Sequence, residues 1–322
     1  MRPVSCGRAH GPAGTILEWE RQRSHLWPRA RTSFRVESGS VRDTPGRASK
    51  LRGMQQRLAI LGTGRMGGAL LNGMLRSGWV SAEQVHCTVG HSERARVVAD
   101  TYGVHADTDS ASAVAGADVV LLAVKPQSLR ELLAGVGETI HPGQLVISVC
   151  AGVPTSAIEA QLAEGVAVVR VMSNTPVQVD QAMSAVAGGR HARQDDVELA
   201  AEILSHVGRV IRLPEEHLDA VTALSGSGPA YVFMIAEAMI DAGILLGLSR
   251  DVAAELITQM LVGSATMLRD SGRQPVQLRE EVASPGGVTI SALRTLEDAS
   301  VRAAMINAIE AARDRSRELA SG

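Results

Sequence analysis

The chain has 322 residues, a length that suggests two domains, and at 45% apolar and 20% charged residues it has the composition of a folded globular protein. With three Trp, two Tyr and two Phe it lacks an aromatic platform for stacking bases, and its core must be aliphatic. The net charge of -2 conceals eleven Lys/Arg against four Asp/Glu in residues 1–53 and twenty-one against thirty beyond them, an acidic body that argues against a nucleic-acid surface.

Residues 1–53 show no sustained hydrophobic period and many breakers, and they read as a disordered leader or a wrongly extended reading frame. They lack the central apolar run of a secretory signal. Their Arg and Ser content suits a transit peptide, but Glu18, Glu20, Glu37 and Asp43 count against one. Met54, followed by QQRLAILGTG, is the expected natural start. Cys6, Cys87 and Cys150 lie far apart with no CxxC or Cys/His spacing, so neither a disulfide framework nor a zinc site is expected. A reducing cytoplasm fits that usage.

From residue 57 short apolar runs alternate with helical patterns. RLAILG, VHCTVG, DVVLLAV, QLVISVCAG and VAVVRVM are continuous apolar strands, and the segments between the first four pairs of neighbours carry helical spacing. Weaker strands, AMSAVAGG and GRVIRLP, flank the helix DDVELAAEILSHV. Such strands need cover on both faces, which predicts an α/β fold: an N-terminal Rossmann domain over 54–214, doubly wound on a mainly parallel sheet. After residue 214 strand signals end, and 215–322 reads as an all-helical domain. Its segment from Ala230 to Leu248 is apolar almost all round. Glu237 and Asp241 near the middle argue against a lipid span, so burial against a partner subunit is the expectation.

LAILGTGRMGGAL carries Gly62, Gly64 and Gly67 as G-x-G-x-x-G after a strand and at the opening of a helix, the context that makes this pattern a dinucleotide fingerprint. Leu61, Gly62, Thr63, Gly64, Arg65, Met66 and Gly67 are therefore expected to hold the pyrophosphate on backbone N–H groups. The tip of the second strand has no carboxylate for a ribose 2′-hydroxyl. It runs instead into His91, Ser92, Arg94 and Arg96, which favours NADPH over NADH; Ser92 is equally suited to capping the next helix, with Glu93 in its first turn.

Three more strand ends are specific: AVKPQ (123–127), CAGV (150–153) and MSNTPV (172–177). Ligands of open α/β sheets collect at such ends. The small residues Ala123, Ala151 and Gly152 suit a flat nicotinamide ring, with Val124 beside them. Lys125, held extended by Pro126, points at the site, where it meets a cofactor phosphate or simply lies on the surface, and Asn174 opens a rigid polar corner. Together with LSGSGPAY and above all SPGGVTISAL (284–293), these segments resemble pyrroline-5-carboxylate reductase, from about Met54 to about Leu319. The resemblance implies NADPH- or NADH-dependent reduction of the cyclic imine 1-pyrroline-5-carboxylate to L-proline, the last step of proline biosynthesis. It also implies a homodimer, in some members assembled into a decamer.

On the same resemblance Gly286, Gly287, Val288 and Thr289 line the imino-acid site, with Thr289 on the ring nitrogen and Ser284 adding a hydroxyl. Without it, Ser284 reads as a helix cap and the glycines as a turn. Glu215 aligns with a ligand-contacting position, or is a solvated loop carboxylate. Glu281 and Ser110 depart from Asn residues found in some relatives near the cofactor. SGSGPAY (225–231) reads as a rigid helix start, with Ser225 or Ser227 as cap and Pro229 in the first turn. No catalytic triad is visible, and Ser227 lacks the flanking glycines of a nucleophile elbow. The competing readings are another imine reductase or a β-hydroxyacid dehydrogenase, the latter disfavoured by the lack of Lys in 229–249, and a non-catalytic NADPH-binding regulator, disfavoured by the intact SPGGVT segment.

Overall fold

The computed structural model describes residues 56–321. The expectations for residues 1–53 and for Met54 lie outside the described residues. Eight strands form one sheet: β1 (Leu58–Leu61), β2 (Val85–Thr88), β3 (His105–Asp107), β4 (Val119–Leu122), β5 (Leu145–Ser148), β6 (Ala167–Met172), β7 (Ala182–Gly188) and β8 (Gly208–Arg212). Their order is β3-β2-β1-β4-β5-β6-β7-β8, with β7 antiparallel to β6 and every other pair parallel. The chain runs outward from β1 to β3, then returns to β1's other side with β4. The switch point therefore falls beside β1, where such sheets open a crevice for ligands.

Six helices belong to this half: α1 (Arg65–Ser77), α2 (Ser92–Tyr102), α3 (Ser110–Ala115), α4 (Pro126–Val136), α5 (Thr155–Glu159) and α6 (Gln194–Ser205). Strand alternation sorts the core into two layers. Leu58, Ile60, Val119, Leu121, Leu145 and Ile147 pack with Leu70, Leu71 and Met74 of α1 and Leu199, Ile203 and Leu204 of α6. Ala59, Leu61, Val120, Leu122 and Val146 face the other way, against Leu129 and Leu133 of α4 and Ile158 of α5. Both faces are dry, which is why these strands read as unbroken apolar runs. Each fully buried Leu or Ile contributes about 1.5–3 kcal/mol.

Beyond β8 the chain is helical: α7 (Leu218–Val221), α8 (Gly228–Leu245), α9 (Arg250–Asp270), α10 (Pro275–Glu281), α11 (Val288–Asp298) and α12 (Val301–Ser321). The described chain divides into two compact units: Ala236–Ala299, and the sheet up to Ile235 together with the segment from Ser300. Four elements escaped the sequence. β3 and α3 are too short to show a period, α7 extends a 3₁₀ turn at Glu215–His217, and α10 has only Pro275 at its first position as a signal.

The SGSGPAY stretch corrects an expectation. Neither serine caps a new helix. Helical backbone continues from Glu215 to Leu245, and Thr222–Gly226 within it is a π-helical turn. The Ser227 N–H reaches back to the Thr222 carbonyl at 2.8 Å, and the Ser225 hydroxyl donates to the Val221 carbonyl at 3.2 Å. Pro229 stands second in α8, in its first turn as expected, and it lacks the N–H that would have met the Ser225 carbonyl four residues earlier.

Candidate active site

Gly62 has φ +97°, a left-handed conformation only glycine takes without strain, and a Cβ there would lie 2.7 Å from the Val124 nitrogen. A Cβ on Gly67 would lie 2.6 Å from the Gly62 carbonyl oxygen and 3.2 Å from the Ala123 Cβ, so this glycine lets α1 touch the sheet. Gly64 differs: a Cβ there meets nothing within 4 Å. It is the N-cap of α1, no side chain caps the helix, and the first turn holds no acidic residue. The start of α1 therefore presents N–H groups and the positive end of its dipole to open space over Gly64. The N–H groups of Gly62 and of buried Thr63 both donate to the Thr88 carbonyl, at 3.0 and 3.2 Å, which ties the loop to the β2 tip. Leu61 is buried beneath it; Arg65 is exposed and Met66 partly buried.

At that tip His91, Ser92, Arg94 and Arg96 are all exposed. The helix cap is His91, not Ser92, which is already the first helical residue, and no side-chain hydrogen bond caps α2. Glu93 lies in the first turn. The Thr88 hydroxyl pairs with the Ser110 hydroxyl at 3.1 Å.

The β4 end holds Ala123, packed against Gly67, then Val124 and Lys125. Lys125 is extended at φ -64°, ψ 142° and exposed, with Pro126 opening α4. At the β5 end Ala151 is exposed and Gly152 has φ +74°. Cys150 is buried, its thiol directed at the Val124 carbonyl at 3.3 Å, and burial raises its pKa. The β6 end carries Asn174, buried, with its Nδ2 donating to the Ser225 carbonyl at 3.1 Å and its Oδ1 accepting from the Met183 N–H at 3.0 Å. That first bond satisfies the carbonyl that Pro229 orphans. The Ala223 carbonyl, left free by the π turn, accepts from the Tyr231 hydroxyl at 3.1 Å. The parallel register brings all these strand ends to one sheet edge, with Asn174 tied directly to the π turn.

Glu215 is no solvated carboxylate. It accepts from the Thr155 N–H at 2.8 Å, the Thr155 hydroxyl at 2.5 Å and Arg170 at 3.1 Å. Arg170, with only 6% of its side chain exposed, also faces Asp219 at 3.9 Å, and Asp219 accepts from the Ser316 hydroxyl at 2.8 Å. This buried polar network joins α5, β6, the start of the helical run and α12.

The SPGGVT segment lies in the Ala236–Ala299 unit. Gly286 has φ +67° and Gly287 caps α11, so Ser284 is not the cap. No side-chain hydrogen bond caps α11. Val288 is 90% exposed, whereas Thr289 is partly buried. Glu281 pairs with Arg273 at 2.5 Å, and that contact holds its carboxyl below the usual value.

Residues 215–319 match the family model "Pyrroline-5-carboxylate reductase dimerisation", and residues 57–152 match "NADP oxidoreductase coenzyme F420-dependent". The pyrroline-5-carboxylate reductase of Methanosarcina acetivorans is 40% identical over 264 residues, covering 82% of this chain and 98% of the relative. The chain belongs to the pyrroline-5-carboxylate reductase family.

Solved structures of the family agree. The pyrroline-5-carboxylate reductase of Coxiella burnetii superposes with TM-score 0.77 at 33% identity, covering 83% of this chain and 99% of that one. The Plasmodium falciparum enzyme, solved with NADP bound, gives 0.75 at 28% identity, covering 83% and 100%. This member of the family is thus an oxidoreductase with NAD(P)H as cofactor, and the cradle around Gly62, Gly64 and Gly67 fits that group: two glycines exclude side chains where backbone crowds, the third faces space. The exposed apolar residues of α8, among them Phe233 at 68% and Leu245 at 88%, fall within the matched dimerisation region. Sequence reasoning missed Thr155, Arg170 and Tyr231. An Arg inside the apolar run VAVVRVM was the one signal for that buried network.

Proposed function

We propose that this protein reduces 1-pyrroline-5-carboxylate to L-proline. The observation that carries the reading is 40% identity along nearly the whole length of a curated reductase, together with the intact SPGGVT segment inside the matched dimerisation region. NAD(P)H, when bound, would supply a hydride from nicotinamide C4 to the imine carbon; with the imine protonated beforehand from solvent, the C=N π pair would come to rest on a nitrogen that already carries its hydrogen. We assign the pyrophosphate to Gly62–Gly67 and the nicotinamide to the small residues Ala123, Ala151 and Gly152, with Val124, Lys125 and Pro126 alongside.

The uncapped start of α11, with Gly286, Gly287 and Val288, supports a seat for the substrate carboxylate. Ser284 adds a hydroxyl there, and Thr289 hydrogen-bonds the ring nitrogen. A protonated imine is already electrophilic, so orientation and electrostatic stabilisation suffice without a triad. Glu215 meets the ligand only indirectly, since its carboxylate is engaged by Thr155 and Arg170. Asn174 acts by holding the corner through Ser225 and Met183. His91, Ser92 and Arg94 favour NADPH over NADH through a 2′-phosphate. We assign domains 54–214 and 215–322, a homodimer that can build to a decamer, and a cytoplasmic setting.

The test is an assay of the purified protein with 1-pyrroline-5-carboxylate and NADPH, reading nicotinamide absorbance and proline. Proline formed in step with NADPH consumed supports the reading; no proline rejects it. Parallel kinetics with NADH decide cofactor preference, and light scattering decides the assembly.

A further inference from the structure

Away from the cofactor loop, the edge of the sheet gathers a group of side chains that the reductase reading does not use. His86 on β2 and His105 on β3 are register partners in a parallel pair, so their side chains share one face. Asp107 follows His105 by two residues and returns to that face. The two imidazoles stack edge to face with centroids 4.3 Å apart. The Nε2 atoms of His86 and His105 lie 2.9 and 3.1 Å from the same oxygen, Asp107 Oδ2. All three donor atoms fall within 4.8 Å of one another.

We propose that His86, His105 and Asp107 form a binding site for a divalent transition-metal ion of the zinc class. Neutral imidazole and carboxylate are ligands of that ion, at about 2.0–2.2 Å, which sets tetrahedral donors roughly 3.4 Å apart. The two nitrogen–oxygen separations, 2.9 and 3.1 Å, need an expansion of up to about half an ångström, and binding takes the Nε2 protons, the rings keeping hydrogen at Nδ1. Asp107 is held for the role: its other oxygen, Oδ1, accepts the Asp109 N–H at 2.8 Å, an outer-shell bond that fixes the plane of the carboxylate.

Access comes through a cleft of about 220 Å³ lined by Arg57, Glu83, His86, His105 and Ser112. Water from that cleft completes the coordination. The set has no cysteine and only the short His105-x-Asp107 spacing, so sequence scanning passes over it; strand register brings His86 to that pair. The ion staples β3, a three-residue edge strand, to β2.

The test uses the full chain, free of any polyhistidine tag and stripped with chelator. Zinc chloride is titrated calorimetrically, and cobalt(II) is added separately as a spectroscopic probe. One zinc per chain, a rise in melting temperature and a four- or five-coordinate cobalt spectrum are expected. His105→Ala and Asp107→Asn, at exposed and half-exposed positions, are each expected to weaken zinc binding at least ten-fold. Zinc affinity unchanged in both variants, or a hexa-aquo cobalt spectrum with the unsubstituted chain, would overturn the proposal. The cobalt readout does not depend on either variant folding.

Discussion

The Asn174 side-chain amide donates to the Ser225 carbonyl across 51 residues of sequence, at 3.1 Å, and so compensates for the hydrogen bond that Pro229 cannot make. Removing the donor leaves a carbonyl with no partner in a half-buried site, at a cost of about 1–3 kcal/mol. Asn174→Ala is expected to lower stability by that amount in urea unfolding. Asn174→Asp is expected to be worse, because a carboxylate faces the carbonyl with no hydrogen to give.

Tyr231 does the same for the Ala223 carbonyl. Tyr231→Phe keeps the ring and deletes the donor, so a loss of about 1 kcal/mol is expected. A double-mutant cycle with Asn174→Ala is expected to be non-additive, since both bonds support one π turn. Additive losses would show that the two ends of the turn act separately.

The three glycines of the phosphate loop separate folding from binding. Gly67→Ala drives a Cβ against the Gly62 carbonyl and is expected to reduce both melting temperature and NADPH affinity. Gly64→Ala meets no protein atom within 4 Å, so its melting temperature is expected to hold while NADPH binding weakens at least ten-fold. Fluorescence titration beside thermal unfolding reads both quantities.

Thr289→Ala is expected to slow imine reduction and raise the KM for the imine, with NADPH binding largely retained. Unchanged turnover would reject the assignment of Thr289 to the ring nitrogen.

Burial pushes the Cys87 thiol up to about 11, and burial raises that of Cys150 as well. At pH 8 roughly a thousandth of Cys87 is thiolate, so native alkylation is expected to spare both thiols and unfolding to expose them, read by peptide mass spectrometry. The folded pKa lies above the unfolded one. Stability from the neutral thiol is therefore complete below about pH 8.5 and declines as pH rises toward 11.

Much of the fold was legible because its signals are local. Both-face burial writes unbroken apolar runs for β1, β4, β5 and β6, and the Gly62–Gly67 pattern records a backbone too crowded for side chains. In SGSGPAY the helix start at Gly228 and Pro229 was legible, but its serines only look like caps: Ser225 turns its hydroxyl back to the Val221 carbonyl. The carbonyls that a π turn frees were rescued by Asn174 and Tyr231, and nothing in the local pattern announces either partner. For Glu215 the sequence left a ligand contact and a solvated carboxylate both open, and neither reading foresaw Thr155 and Arg170 against it.

By itself, then, the sequence determined the α/β order of elements and the phosphate loop, because periodicity and glycine sterics act within a few residues of chain, and its motifs, SPGGVTISAL above all, carried the resemblance to a reductase family. Only the tertiary structure decided which polar groups meet. Asn174 with Ser225, Glu215 with Arg170, and His86 with His105 and Asp107 all depend on strand register and helix docking. Those are set by the packing of the whole core, and no short stretch of sequence encodes them.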